Sequence, residues 1–267
     1  MKRMTSLLAV SWLVTVVAAE APANDRMAAS QTLVALEFVD ANGGGFEIYT
    51  TATESPDVYR AYLEAEPEAR YSIRARNLSS RRVGIVIAVD GRNIISGERS
   101  ELASSESMYV LEPHQTATYS GWRTSESEVR RFYFTRAGNS YASRIGDESA
   151  IGVVAAAVFE AMPDSTYRPR SSQSRPGAPA AAEESSDASA SESRASAGAG
   201  TGFGEHEHSR VVRVSFSPAR RPSQRAFFKY EWREQLCARG IKSCAPENRF
   251  WPEHRQGFVP LPPGEPG

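Results

Sequence analysis

The stretch YSIRARNLSSRRVGIVIAVDG, Tyr71 to Gly91, decides the fold class. In its first half Tyr71, Ile73 and Ala75 alternate with Ser72, Arg74 and Arg76. A period of two sends successive side chains to opposite faces, so this half reads as a strand with one buried and one wet side. In its second half, Val83 to Asp90 is almost continuously apolar and β-branched, as in a strand covered on both faces. Asp90-Gly91 then supplies a turn.

The same alternation extends in both directions. Upstream stand TLVALEFVD (32–40), the breaker ANGGG, FEIYTTA (46–52) and VYRAYLEA (58–65). Downstream come ESMYVLEP (106–113), TATYSGW (116–122), RRFYFTR (130–136) and AIGVVAAAVFEA (150–161). Seven to nine short strands with turn residues between them predict a mainly β fold, an antiparallel β-sandwich over residues 28–165. Ser125-Glu126-Ser127-Glu128 fits a capping box, which predicts one helical turn before Phe132.

Residues 166–200 differ in kind. From 168 to 200 there is no Val, Ile, Leu, Met, Phe, Tyr or Trp. Such a segment has nothing to bury against the entropy of ordering and reads as a disordered linker. Strand-like patterning resumes in the segment 201–258. RVVRVSFS places Val212, Val214 and Phe216 on one face, with Arg213 and Ser215 on the other. AFFKYEW reads as a second strand, and REQLCARG as a short helix stopped at Gly240. Two strands and a helix make a poor independent core, so this β-β-α segment is expected to dock on the sandwich. A proline-rich tail, 259–267, ends the chain.

Lys2 and Arg3, the 13-residue apolar run Leu7–Ala19 and the small residues Ala21-Pro22-Ala23 make a signal peptide over 1–23, with cleavage near Ala19 or Ala23. The run is shorter than the roughly 20 residues a bilayer-crossing helix needs. The mature chain is thus expected in the periplasm or outside the cell, without a membrane span. Without Lys2, Arg3 and Glu20 it keeps 29 basic and 31 acidic residues. That balance gives no electrostatic reason to expect nucleic acid as partner. Cys237 and Cys244, the two cysteines, predict a disulfide in an oxidising compartment, worth about 2.5 kcal/mol for so short a loop.

Candidate chemistry is sparse. On a strand, His206 and His208 of Glu205-His206-Glu207-His208 share a face and could hold a metal, although catalytic zinc needs three protein ligands; alternatively the stretch is a polar strand entry. Asp90, Asn93 and Glu98 could offer oxygen ligands to a cation, or serve only as turn residues. Gly138-Asn139-Ser140-Tyr141-Ala142 approaches a nucleophile elbow but lacks the final glycine. Thr201-Gly202-Phe203-Gly204 lacks the spacing of a phosphate loop. No cofactor is expected.

YSIRARNLSSRRVGIVIAVDGRNIISGE, YVLEP, SGWR, VRRFYFT and AIGVVAAAVFE together resemble a family of uncharacterised exported bacterial proteins. The family's order is an R-N-[RL]-S turn, V-D-G-x-N-x-[IV]-S-G, a G-W-R segment and an F-x-F-T strand. The similarity continues past the linker in TGFGEHEHS, YEW and ARGI. It implies an exported protein in which the two flanks of the linker belong together, and it supplies no catalytic residues. The expected function is a non-enzymatic binding or interaction module of the cell envelope, with another envelope protein as partner. The alternative is a metal-binding protein or metal-dependent enzyme using Glu205–His208 and the Asp90–Glu98 loop.

Overall fold

The computed structural model describes residues 32–51, 55, 57–162 and 198–244. The expected signal peptide, the expected linker up to residue 197, His254 and the proline-rich tail lie outside the described residues.

Two seven-stranded sheets face one another. The strands are β1 (Val34–Asp40), β2 (Ile48–Thr50), β3 (Val58–Ala65), β4 (Arg70–Asn77), β5 (Val83–Val89), β6 (Arg92–Asn93), β7 (Tyr109–Leu111), β8 (Thr116–Tyr119), β9 (Gly121–Arg123), β10 (Glu128–Arg136), β11 (Val153–Glu160), β12 (Ala199–Thr201), β13 (His206–His208) and β14 (Gln224–Trp232). A 3-10 turn (Ala137–Asn139) and two short helices, α1 (Tyr141–Arg144) and α2 (Arg233–Ala238), complete the described elements. The first sheet runs β1-β4-β10-β12, with β8 on β4 and with β9 and β13 on β10. The second runs β2-β3-β14-β11-β5-β6, with β7 on β5.

The period-two pattern of β4 holds for its buried face, whereas Ser72, expected on the wet face, is buried. Tyr71, Ile73 and Ala75 are fully buried, while Arg70 and Arg76 reach solvent. Every residue of β5 is buried, as its apolar composition requires. Val83, Ile85, Ile87 and Val89 enter the main core, and Val86 joins Ala157 and Phe159 in a small cluster on the other face. Aromatic contacts join the sheets. Phe38 of β1 meets Phe228 of β14 edge-on at 4.9 Å, and Phe134 of β10 lies 5.3 Å from Tyr230 of β14. Within the first sheet, Tyr71 stacks on Phe132 at 5.3 Å and on Phe134 at 4.3 Å. Offset and edge contacts of this kind add to the hydrophobic gain of burying the rings.

The segment after the linker belongs to the sandwich. β14 lies inside the second sheet, in antiparallel register with β11 and in parallel register with β3, from Arg225 opposite Val58 to Trp232 opposite Ala65. A parallel pair needs a long crossover, and this one makes an otherwise antiparallel sheet mixed. Gln224, at the start of β14, reaches the other sheet. Its side-chain oxygen accepts from Leu33 N (2.8 Å) and Val34 N (2.9 Å), and its amide donates to Val34 O (2.8 Å).

The structure departs from the sequence reading in four places. RVVRVSFS forms no strand, and its residues run as an extended strap. The first strands after the linker are instead β12 and β13, and β12 begins at Ala199, inside the expected linker boundary. Ser125–Glu128 makes the hairpin between β9 and β10, with Thr124 N and Ser125 N both donating to Glu128 O, so no helix forms there. Within residues 28–165 there are eleven strands rather than the expected seven to nine, because TATYSGW is divided between β8 and β9 and Arg92–Asn93 adds the short β6.

At the end of the described chain, α2 stops with Gly240 at φ 67°, as its sequence predicts. Cys237 and Cys244 are joined, with 5.5 Å between their Cα atoms.

Candidate functional site

The glycines of Ala199–Gly204 lie against β10 and its neighbours, where side chains do not fit. A Cβ on Gly202 would sit 2.1 Å from the ring of Tyr133, and one on Gly200 would sit 2.7 Å from Ser140 Cβ. The glycines therefore serve close approach, which seats this stretch on the first sheet. The intervening Phe203 stacks on Tyr141 at 5.1 Å, and Trp122 Nε1 donates to Gly202 O at 3.0 Å. Trp122 is a buried core aromatic, edge-on to Phe132.

On β13 the side chains divide by face. Glu207 points back, accepting from Ser120 Oγ at 2.8 Å and pairing with Arg131 at 2.9 Å. His206 and His208 are exposed together on the opposite face, with Glu128 Oε2 3.8 Å from His206 Nδ1. Glu205 pairs with Arg70, whose guanidinium holds the carboxyl below its ordinary range. Among the described residues no three His, Cys, Asp or Glu side chains gather as a metal cluster.

Asp90 has a different part from the one its loop suggested. Asp90 and Gly91 both have positive φ, 49° and 78°, in the two-residue turn between β5 and β6. That turn sends the carboxylate inward, where it is fully buried. Oδ1 accepts from Gly152 N at 2.8 Å and from Tyr230 OH, and Oδ2 accepts from Thr201 N at 2.7 Å. Thr201 Oγ1 lies 2.8 Å from both Tyr230 OH and Tyr71 OH. Each hydroxyl carries one hydrogen, and Tyr230 uses its own on Asp90. The chain of donors therefore runs Tyr71 to Thr201 to Tyr230 to Asp90. Burial pushes the Asp90 carboxyl up to about 6, against the pull of these three donors. The network ties β4, β5, β12 and β14 together from within.

Asn93 and Glu98 do not join Asp90. The Asn93 amide donates to Ser107 O (2.9 Å) and Glu106 Oε2 (3.2 Å), and its oxygen accepts from Ile95 N (2.9 Å). Glu98 is exposed and offers its backbone carbonyl to Asn93 N. Ser140 is also accounted for structurally. It is buried, and its Oγ accepts from Ser143 N at 3.1 Å as the N-cap of α1.

An open concavity lies at another edge. Between β7, β8 and the strap Ser209–Pro218 runs an open groove of about 1270 Å³. Tyr109 and Tyr119 stack at its floor, 4.1 Å apart and inclined by 22°. Desolvation holds both phenols above their ordinary pKa, so they are neutral surfaces there. Arg123 brackets the groove, donating from Nε to Tyr109 OH (2.9 Å) and from Nη1 to Ser209 O (2.8 Å). Among the described residues β7 pairs only with β5, and β8 only with β4, so each presents a strand edge there. A smaller pocket of about 430 Å³ beside Phe46 is bordered by Lys242, which Glu47 and Glu64 hold in ion pairs.

The sequence reading did not single out Tyr109, Tyr119 or Arg123. Its only pointer to the groove was the alternating apolar pattern of the strap, taken there for a strand. Compared with protein-family models, curated proteins and solved structures, the chain finds no match.

Proposed function

We propose that the chain is an exported, non-enzymatic binding module of the bacterial cell envelope, and that the Tyr109–Tyr119 groove receives its partner, another envelope protein. One observation carries this reading: an open groove of about 1270 Å³ combines the stacked rings of Tyr109 and Tyr119 with two strand edges that, among the described residues, lack a second neighbour. Flat, rigid aromatic rings at low conformational cost are what protein-binding surfaces favour. The signal-peptide pattern and the Cys237–Cys244 bridge suit an oxidising compartment.

The test is site-specific photocrosslinking in cells. A benzophenone side chain at Ala117, in the groove, is expected to trap a defined partner peptide. The same group at Arg144, on α1 and away from the groove, is expected to trap none. Equal yields from both positions, or none from Ala117, overturn the assignment.

A second reading draws on the shared exposed face of His206 and His208: a metal ion held at the surface of β13. Elemental analysis of the purified protein separates the two. A stoichiometric metal lost on His206→Ala with His208→Ala favours the second.

A further inference from the structure

We infer that the groove's ligand is an extended, acidic peptide segment of the partner, taken up as an added β-strand along Val212–Phe216. This rests on the groove being the binding surface and goes on to specify what enters it.

The strap is pinned at both ends. Ser209 N donates to Ser127 O and Val211 N to Glu126 O, each at 2.8 Å. At the far end Met162 N donates to Ser217 O (2.8 Å) and Ala219 N to Glu160 O (2.9 Å). Phe216 is anchored too, lying so close over Gly84 that a Cβ there would sit 2.6 Å from its ring. Among the described residues, nothing bonds to the backbone amides and carbonyls of Val212, Arg213, Val214, Ser215 and Phe216. An extended chain with fixed ends and open backbone groups is a template for a further strand. Its side chains already alternate as a strand's do. Val212 and Val214 are 72% and 52% exposed, although alternation of this kind normally accompanies a buried face.

Charge selects the ligand class. Residues 209–225 contain five arginines and no acidic residue. Among the described residues only Arg213 of these is in an ion pair, with Glu126 at 2.8 Å. The acidic residues lining the groove are already engaged. Glu112 pairs with Arg82 (2.9 Å), while Glu106 accepts from Ser100 Oγ (2.7 Å) and Ala103 N (2.8 Å). A strand carrying carboxylates on one face and apolar side chains on the other would meet Arg213 with the first, and Arg210 also lines the groove. Such a strand would meet the valines and tyrosines with the second.

The probe is a fluorescein-labelled octapeptide alternating Glu with Val, titrated against the mature full-length protein by anisotropy. The expected result is saturable binding, weakened at least tenfold by N-methylating alternate peptide amides. A Lys-for-Glu version is expected not to bind. Val214→Pro is expected to weaken binding tenfold at unchanged Tm, and Arg210→Glu with Arg213→Glu to reverse the charge preference. Equal binding of the N-methylated peptide overturns strand addition, and equal binding of the Lys peptide overturns the acidic class. A stable dimer in light scattering that the acidic peptide fails to dissociate assigns the edge to a second copy and also overturns the proposal. If crosslinks at Ala117 succeed while every peptide fails, the groove remains the binding surface and only the ligand class falls. If both fail, both readings fall.

Discussion

Two stretches of the returning segment carry nearly the same sequence pattern and end in opposite states. RVVRVSFS and AFFKYEW both alternate apolar with polar or charged residues, and both read as strands. In AFFKYEW, Ala226, Phe228 and Tyr230 are buried, and the backbone is in register with β3 throughout and with β11 as far as Lys229. In RVVRVSFS, Val212 and Val214 remain exposed and residues 212–216 pair with nothing among the described residues. The difference lies in the neighbours. β3 and β11 offer two open edges, with an apolar face between them. The strap crosses from the β9–β10 hairpin to the end of β11 and, among the described residues, pairs with no strand along Val212–Phe216. Alternation makes a segment competent to be a strand; an available edge makes it one.

The largest expected effect sharpens that contrast. Phe228→Ala is expected to cost about 3–5 kcal/mol, because a fully enclosed ring is replaced by a cavity. Val214→Ala is expected to change stability by less than about 0.5 kcal/mol. Urea denaturation of both variants measures the gap, and comparable losses would abolish the distinction.

The buried network gives a smaller, pH-dependent term. Burial raises the Asp90 carboxyl to about 6 in the folded protein, above its ordinary value of 3.8. A group raised on folding favours the protonated native state, so its contribution is complete below about pH 4 and is lost as pH rises through 6. Relative to Asp90→Asn, the wild type is expected to lose on the order of 2–3 kcal/mol between pH 4 and pH 7. Carboxyls held low by their partners, such as Glu205 and Asp147, change in the opposite sense and cancel in that difference. Parallel pH profiles of the two proteins would show that Asp90 does not titrate in this range.

Gly202→Ala comes last, expected to cost about 1–3 kcal/mol through its collision with the Tyr133 ring. Gly138→Ala, where nothing lies within 4 Å, is expected to be nearly silent in the same thermal melt.

Much of the sandwich was legible in the sequence, because period-two patterning and Asn, Asp and Gly turns act locally. Tyr71, Ile73 and Ala75 could be assigned to the core from their spacing alone. The docking of the last segment was legible too, since its few apolar residues could not form a core by themselves. What could not be read is what depends on distant neighbours. Asp90-Gly91 announces a turn, but whether the carboxylate faces water or the core is decided by Gly152, Thr201 and Tyr230, between 62 and 140 residues away. Gly200, Gly202 and Gly204 read as the end of a linker, because the Tyr133 ring that requires a glycine beneath it is not nearby in sequence. The groove was invisible for the same reason. Its floor is two tyrosines on separate short strands that meet only when the sheets close.

The position of β14 also bears on the order in which the molecule can be completed. Arg225 registers with Val58, 167 residues earlier, and β14 stands between β3 and β11. Synthesis delivers the chain from its N-terminus, so the middle of this sheet arrives after both of the strands that flank it. Until residues 224–232 emerge, β3 and β11 have no ladder to share, Gln224 cannot hold the start of β1, and Asp90 lacks the hydroxyl of Tyr230. Closure of the sandwich therefore waits on residues 224–232, and the long sequence separation of these contacts places the fold among slow closers.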